Sequence, residues 1–164
     1  MWTISKQTRY ALRVVYSLAR THGSGLKLLS ELAREEGIPL FFLQKILVAL
    51  RRDGIISSKA GPRGGYQLHQ PPDRITLATV IRSVEGSLAP LPCVGENGAQ
   101  TCDTCADRLT CGTQILMSRV HAAAERILDQ TTFADIVCGC ANSALVGCTH
   151  RNGTAGSATY SRGS

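Results

Sequence analysis

Apolar residues recur at helical spacing over residues 8–21, where Ala11, Leu12, Val14, Val15, Leu18 and Ala19 form one stripe. The run His22-Gly23-Ser24-Gly25 ends it. A second, shorter helix is predicted over 28–36, with Leu29, Leu32 and Ala33 inward and Gly37 at its C-terminal cap. Pro39 suits the first turn of a third helix that runs to about residue 53, with Leu40, Leu43, Ile46, Leu47 and Leu50 on one face. Gly54 stops it. The period then changes to that of strands, over 55–59 and 65–69, and the glycine-rich 60–64 turns between them as a β-hairpin.

Beyond Pro71-Pro72, Thr76 is a good N-cap for a fourth helix over 77–85, ended by Gly86. Residues 87–111 hold Pro90, Pro92 and four cysteines without periodicity and are read as a loop. A long helix is expected over 113–130, on Ile115, Leu116, Val120, Ala123, Ala124, Ile127 and Leu128, and a last helical turn over 135–137. From residue 138 onward Gly, Ser, Thr, Ala and Asn dominate, which predicts a disordered tail. The order helix, short helix, turn, longer helix, hairpin is that of a winged helix-turn-helix. The fold class expected is mainly α with a small β-hairpin wing, plus a long C-terminal helix. The divisions are 1–86, a winged helix-turn-helix; 87–112, a cysteine-bearing loop; 113–137, the long helix and closing turn; and 138–164, the tail.

At 164 residues and 43% hydrophobic, the chain can bury a core. No run approaches the roughly 18 consecutive apolar residues a membrane helix needs. The polar segment 1–10 lacks the features of a secretory signal, so a cytoplasmic protein is expected, with no membrane partner. The net charge of +6 is uneven: residues 1–85 carry 13 Lys and Arg against 6 acids, and residues 86–164 carry 5 against 6. A basic front half points to a polyanion, the alternative being an ordinary solvated surface. Lys45, Arg51 and Arg52 fall on or at the end of the third helix, and Lys59 and Arg63 on the hairpin. Those are the places where a winged helix meets a DNA groove and its phosphates. Gln44 and Lys45 are candidate base readers, Leu43 and Ile46 beside them core, and Thr8 and Arg9 candidate backbone contacts. Tyr66 is read as a packing residue of the wing and Trp2 as a terminal anchor.

The seven cysteines avoid residues 1–92 entirely. Cys93, Cys102, Cys105 and Cys111 lie within one stretch, spaced by eight, two and five residues. A disulfide-stapled fold would spread its cysteines. Soft thiolates gathered in one loop suit an iron–sulfur cluster or zinc, with redox-active thiols and inert cysteines as alternatives. Cys138, Cys140 and Cys148 with His150 could chelate metal, although chance placement in a tail accounts for them as well. His121 is read as lying on a solvated or interface face of the long helix, and His22 and His69 show no metal spacing. A small redox enzyme built on Cys102-x-x-Cys105 is disfavoured: the pair sits in no βαβ unit, and no nucleophile triad, phosphate loop or carboxylate pair accompanies it.

Several segments together carry a resemblance. They are Ser5-Lys6 with Arg9-Tyr10-Ala11-Leu12-Arg13; Ile38-Pro39 through Phe42-Leu43-Gln44-Lys45-Ile46-Leu47 to Gly54-Ile55-Ile56-Ser57-Ser58; Gly61-Pro62-Arg63-Gly64-Gly65-Tyr66-Gln67-Leu68; and Ile75-Thr76-Leu77 to Val84-Glu85-Gly86. Over residues 1–137 the chain resembles the Rrf-two (Rrf2) family of bacterial transcription regulators, which includes iron–sulfur members. The resemblance implies a homodimer whose long helices cross, with two wings on a palindromic operator in double-stranded DNA. It also implies a cluster, 2Fe–2S or 4Fe–4S, on three loop cysteines, matched by Cys93, Cys105 and Cys111. Cys102 is additional. In one branch of the family a histidine three residues after the last cysteine is the fourth ligand; Gln114 stands there. In another a carboxylate from the first helix of the partner subunit serves; Arg9 stands there. Cys102 is the candidate to fill that vacancy. Some iron–sulfur members carry a Glu-Gln pair where this chain has Gln44-Lys45, and an arginine where it has Ala60, so a different operator is expected. The reading is a DNA-binding regulator, not an enzyme, that senses redox, iron, nitric oxide or oxygen status through a cysteine-ligated cluster. The alternative is zinc or thiol/disulfide sensing at the same cysteines.

Overall fold

The structure, a computed structural model, describes residues 4–61, 63–94 and 111–139. The elements in order are α1 (Lys6–Arg20), α2 (Leu29–Glu36), α3 (Leu40–Arg52), β1 (Ile56–Lys59), β2 (Gly65–Leu68), a 3₁₀ turn (Pro72–Arg74), α4 (Leu77–Glu85), α5 (Gly112–Gln130) and α6 (Phe133–Val137). The expected helical body with a two-stranded antiparallel wing is present. Ile56 pairs with Leu68 and Lys59 with Gly65.

Helix boundaries follow from caps. α1 starts two residues before its apolar stripe because the Ser5 hydroxyl accepts from the Thr8 amide. Pro39 stands just before α3, at the N-cap, where its missing N–H costs nothing. α2 ends on Gly37 at φ 60°, the left-handed cap glycine tolerates best. α6 begins at Phe133, earlier than the sequence suggests, because Thr132 and Asp135 cap each other reciprocally.

One core joins α1, α2, α3, the wing and α6. Val14, Val15, Leu32, Leu43, Leu47, Leu50, Ile56, Ile75 and Phe133 are all nearly inaccessible. The 131–133 segment returns from α5 to the body by pairing with 75–77: the Leu77 amide donates to the Thr131 carbonyl, and the Phe133 amide to that of Ile75. Burying Phe133 contributes about 1.5–3 kcal/mol, so the closing turn belongs to the core of the body.

The wing is sewn to the body by Lys27. Its backbone exchanges two hydrogen bonds with Tyr66, at 2.9 and 2.8 Å. Its ammonium donates to Glu35 at 2.6 Å and to Ser17 at 3.0 Å. Gly65 is required at this seam, since a Cβ there would meet the Lys27 carbonyl oxygen at 2.5 Å. Among the described residues no helix is long and apolar enough to cross a membrane.

Candidate nucleic-acid interface and the cysteine segment

α3 has two faces of opposite use. Leu43, Ile46, Leu47 and Leu50 are buried and seat the helix on the body, as the sequence predicts for Leu43 and Ile46. Leu40 departs from the expected inward face and is exposed, because the first turn overhangs the core. The outward face carries Phe41, Gln44, Lys45, Val48, Arg51 and Arg52, all exposed. Phe41 is 62% exposed and Val48 64%. The Lys45 ammonium sits over the Phe41 ring, 4.4 Å from its centroid. Phe42 stands edge-on to Phe41 at 6.0 Å.

The cations divide into those engaged within the protein and those left outward. Arg13 pairs with Glu36, Lys27 with Glu35, Arg52 with Asp53, and Arg82 with both Glu125 and Asp129. Each of Glu35, Asp53 and Asp129 is held below the usual carboxylate range, first by its hydrogen bond to that cation. Arg9, Lys45, Lys59 and Arg63 form no ion pair with a described residue, and all four are exposed. Arg51 donates only to the Ser58 hydroxyl, at 3.2 Å, which fixes the end of α3 against β1. Arg20, Arg34, Arg74, Arg119 and Arg126 are likewise exposed without an ion pair among the described residues, so α3, the wing and the start of α1 share the outward charge with other faces.

Two sequence expectations are corrected. Thr8 is fully buried, with its hydroxyl donating to Glu85 Oε1 at 2.7 Å, so it positions the start of α1 against α4 and reaches no phosphate. The Ser5 amide donates to the same oxygen at 2.9 Å, and these bonds from Ser5 and Thr8 hold the Glu85 carboxyl below its ordinary range. His121 is only 6% exposed, not solvated; its Nε2 lies 3.4 Å from Glu125 Oε2, and Nδ1 has no hydrogen-bond partner among the described residues. Tyr66 packs on the core as expected.

Cys93 is 7% exposed, and Cys111 is half-buried at the N-cap of α5. Cys102 and Cys105 lie outside the described residues, as do Cys140, Cys148, most of the predicted disordered tail and Trp2. Cys138 is exposed at the end of α6. Among the described residues no three His, Cys, Asp or Glu side chains gather as a metal site. Gln114 is half-buried on the first turn of α5, and Arg9 is exposed on α1.

α5 is held to the body by Arg82, whose guanidinium donates to Asp129 at 2.7 and 3.2 Å and to Glu125 at 3.0 Å. Its other side leaves Ile115, Leu116, Val120 and Ile127 exposed. Beside it an apolar groove of about 470 Å³ runs between Ile4, Ile81, Leu88, Ala124 and Leu128.

A helical body, an α3 exposing cations opposite a buried leucine face, and a two-stranded wing define a winged helix-turn-helix DNA-binding protein. Residues 4–139 match the family model Rrf2, described as an iron-dependent transcriptional regulator, and the chain belongs to that family. It is similar to an rrf2-like protein of Rhodobacter capsulatus, 31% identical over 82% of this chain and 91% of that one. It is similar also to the IscR regulator of Sodalis glossinidius, 29% identical over 82% and 78%. Among solved structures, CymR of Bacillus subtilis, a global cysteine regulator, superposes with a TM-score of 0.70 at 29% identity, covering 85% of this chain and 98% of that one. The oxidised form of Staphylococcus aureus CymR gives 0.62 at 27% identity, covering 88% and 98%. The protein is a DNA-binding transcription regulator of a non-enzymatic family.

Proposed function

We propose that the chain acts as a homodimer on a palindromic operator and switches its affinity through an iron–sulfur cluster held in the segment between Cys93 and Cys111. The observation that carries this reading is the cysteine set itself: four thiols ahead of α5, the first and last placed on the body. The donor chemistry fits a cluster. Cys93 is shielded from solvent, and Cys111 stands at a helix start, where amide groups favour a negatively charged sulfur. Cys93, Cys105 and Cys111 are three ligands, and Cys102 is the fourth, since Gln114 is a poor iron ligand and Arg9 cannot ligate. The relatives named IscR support the assignment.

Arg9, Gln44, Lys45, Arg51, Lys59 and Arg63 form the DNA surface, with α3 in the major groove and the wing on the flanking backbone or minor groove. α5 supplies the dimer contact. Because Cys111 stands at the N-cap of α5, and α5 is bolted to α4 by Arg82, a change at the cysteine segment can reorient the two halves. A switch worth about 1–3 kcal/mol changes affinity several-fold or more.

The resemblance to CymR, solved also in an oxidised form, favours a second reading in which the same thiols sense redox state directly, with zinc at the same cysteines as the other alternative. Iron, acid-labile sulfide and zinc per chain, with a visible spectrum on protein purified without oxygen, separate the two. Near-equal iron and sulfide with a brown sulfur-to-iron band supports the cluster. Zinc alone, or no metal after reconstitution, moves sensing to zinc or to the thiols. A stable, full cluster in Cys102→Ala removes Cys102 from the ligand set. Equal operator affinity with and without the cluster, at matched salt, sinks the switching idea.

A further inference from the structure

We propose that Phe41 determines operator specificity by packing its ring on the 5-methyl group of a thymine in the major groove. The inference rests on the reading of α3 as the groove-entering helix. Phe41 is the second residue of α3, and the N-terminal residues of a recognition helix are the ones that meet base edges. Its ring is 62% exposed on the same face as Gln44, Lys45, Val48 and Arg52, opposite the leucines that seat the helix. A ring so placed contributes nothing to the core. The outward face it opens carries Lys45, Arg51 and Arg52, of which only Arg52 is paired with an acid, Asp53, so the surface that covers it is a polyanion.

The ring is held upright. Lys45 caps one side at 4.4 Å, and Phe42 abuts it edge-on at 6.0 Å with the planes at 77°. It has only two side-chain torsions to order on binding. A phenyl ring offers no hydrogen bond to a phosphate or a base edge. The one apolar group that base pairs present in the major groove is the thymine methyl. Lys45, resting on the same ring, brings a donor to a guanine or phosphate beside that thymine, which sets the register of the contact. Val48 lies two turns further along the helix, about 10 Å away, and meets a different position.

The test uses the full chain. A duplex pool of random sequence is selected on the wild-type protein, and each thymine of the enriched site is then replaced by deoxyuridine, which lacks only the methyl group. One thymine in each half-site should weaken wild-type binding about four-fold on replacement, the factor equivalent to one buried methyl. Phe41→Ala should bind the thymine and uridine duplexes alike, and Phe41→Leu should keep part of the preference. A wild-type protein indifferent to uridine at every position overturns the proposal, as does a Phe41→Ala variant that retains the full preference. If Lys45→Ala and Arg63→Ala still weaken binding while uridine is tolerated, the DNA surface stands and only the role of Phe41 falls. If no sequence enriches and neither lysine nor arginine variant changes binding, the reading of α3 falls with it.

Discussion

α3 and α5 both leave large apolar side chains in solvent, yet the two helices are built for different partners. α3 exposes Phe41 and Val48 among three cations, with no acid in its 13 residues. α5 exposes Ile115, Leu116, Val120 and Ile127 on a helix whose formal charges cancel, Arg119 and Arg126 against Glu125 and Asp129, with both acids turned to Arg82 of α4. Exposure alone therefore names no partner; the charge interleaved with it does. A cationic apolar stripe suits the mixed surface of a DNA groove, and a neutral one, continuous with an apolar groove, suits a second protein surface. α5 is about 28 Å long at 1.5 Å per residue, enough to cross an equal helix.

The largest effect is expected from a charge on the α5 stripe. Ile127→Asp is expected to leave the body folded, since the side chain is 60% exposed, and to yield monomers in sedimentation analysis. Losing the linked second half-site should cut operator affinity by roughly 100-fold or more. A variant that stays dimeric with unchanged affinity would give the dimer contact to another face.

The next contrast lies within α3. Leu47→Ala removes a side chain seated in the core and should cost about 2–5 kcal/mol in denaturant unfolding. Phe41→Ala on the opposite face should stay within about 0.5 kcal/mol of wild type while altering DNA preference. Equal losses would mean that the outward ring supports the fold after all.

A smaller effect separates the anchors of the two regions by pH. Glu85 ties α4 to α1, and Asp129 ties α4 to α5; both carboxyls are held below their ordinary range. A lowered folded-state value means that the stabilisation is complete above the unfolded-chain value, near 4. It is lost as the pH falls through the folded value. The melting temperature should therefore drop on acidification below about pH 4, and Glu85→Gln should flatten part of that drop. Parallel curves for wild type and variant would leave the Glu85 hydrogen bonds without a net contribution.

Local signals made most of the fold legible in the sequence. The Val14, Leu18, Leu47 and Leu50 spacings, Gly37, and the glycine-rich hairpin each act within a few residues. What stayed hidden depends on distant partners. Thr8 looked like a surface residue because Glu85, which buries it, lies 77 positions away. The burial of His121 depends on which side of α5 faces the body, and that helix carries apolar residues on both sides. Phe41 and Val48 fall off the inward face that the leucine spacing of α3 predicts, and an apolar side chain there carries no charge to mark it. Their spacing of seven from one another, with Gln44 and Lys45 between, was the available sign that they share the outward face.

The smallest predicted effect is on the salt dependence of binding. Each phosphate contact contributes roughly 0.9 to the slope of log affinity against log salt, because one condensed counterion is released. Arg63 stands exposed on the wing without an acidic partner among the described residues, so in the homodimer Arg63→Ala should lower that slope by about two, one contact per subunit, and weaken all duplexes alike. Gln44→Ala, a neutral change on α3, should leave the slope unchanged and alter which bases are preferred. On the proposed reading Arg63 meets charge and Gln44 meets sequence, so the two variants should separate. A Gln44 variant that lost affinity uniformly across operator variants would move base reading away from that position and leave Phe41 and Lys45 to carry it.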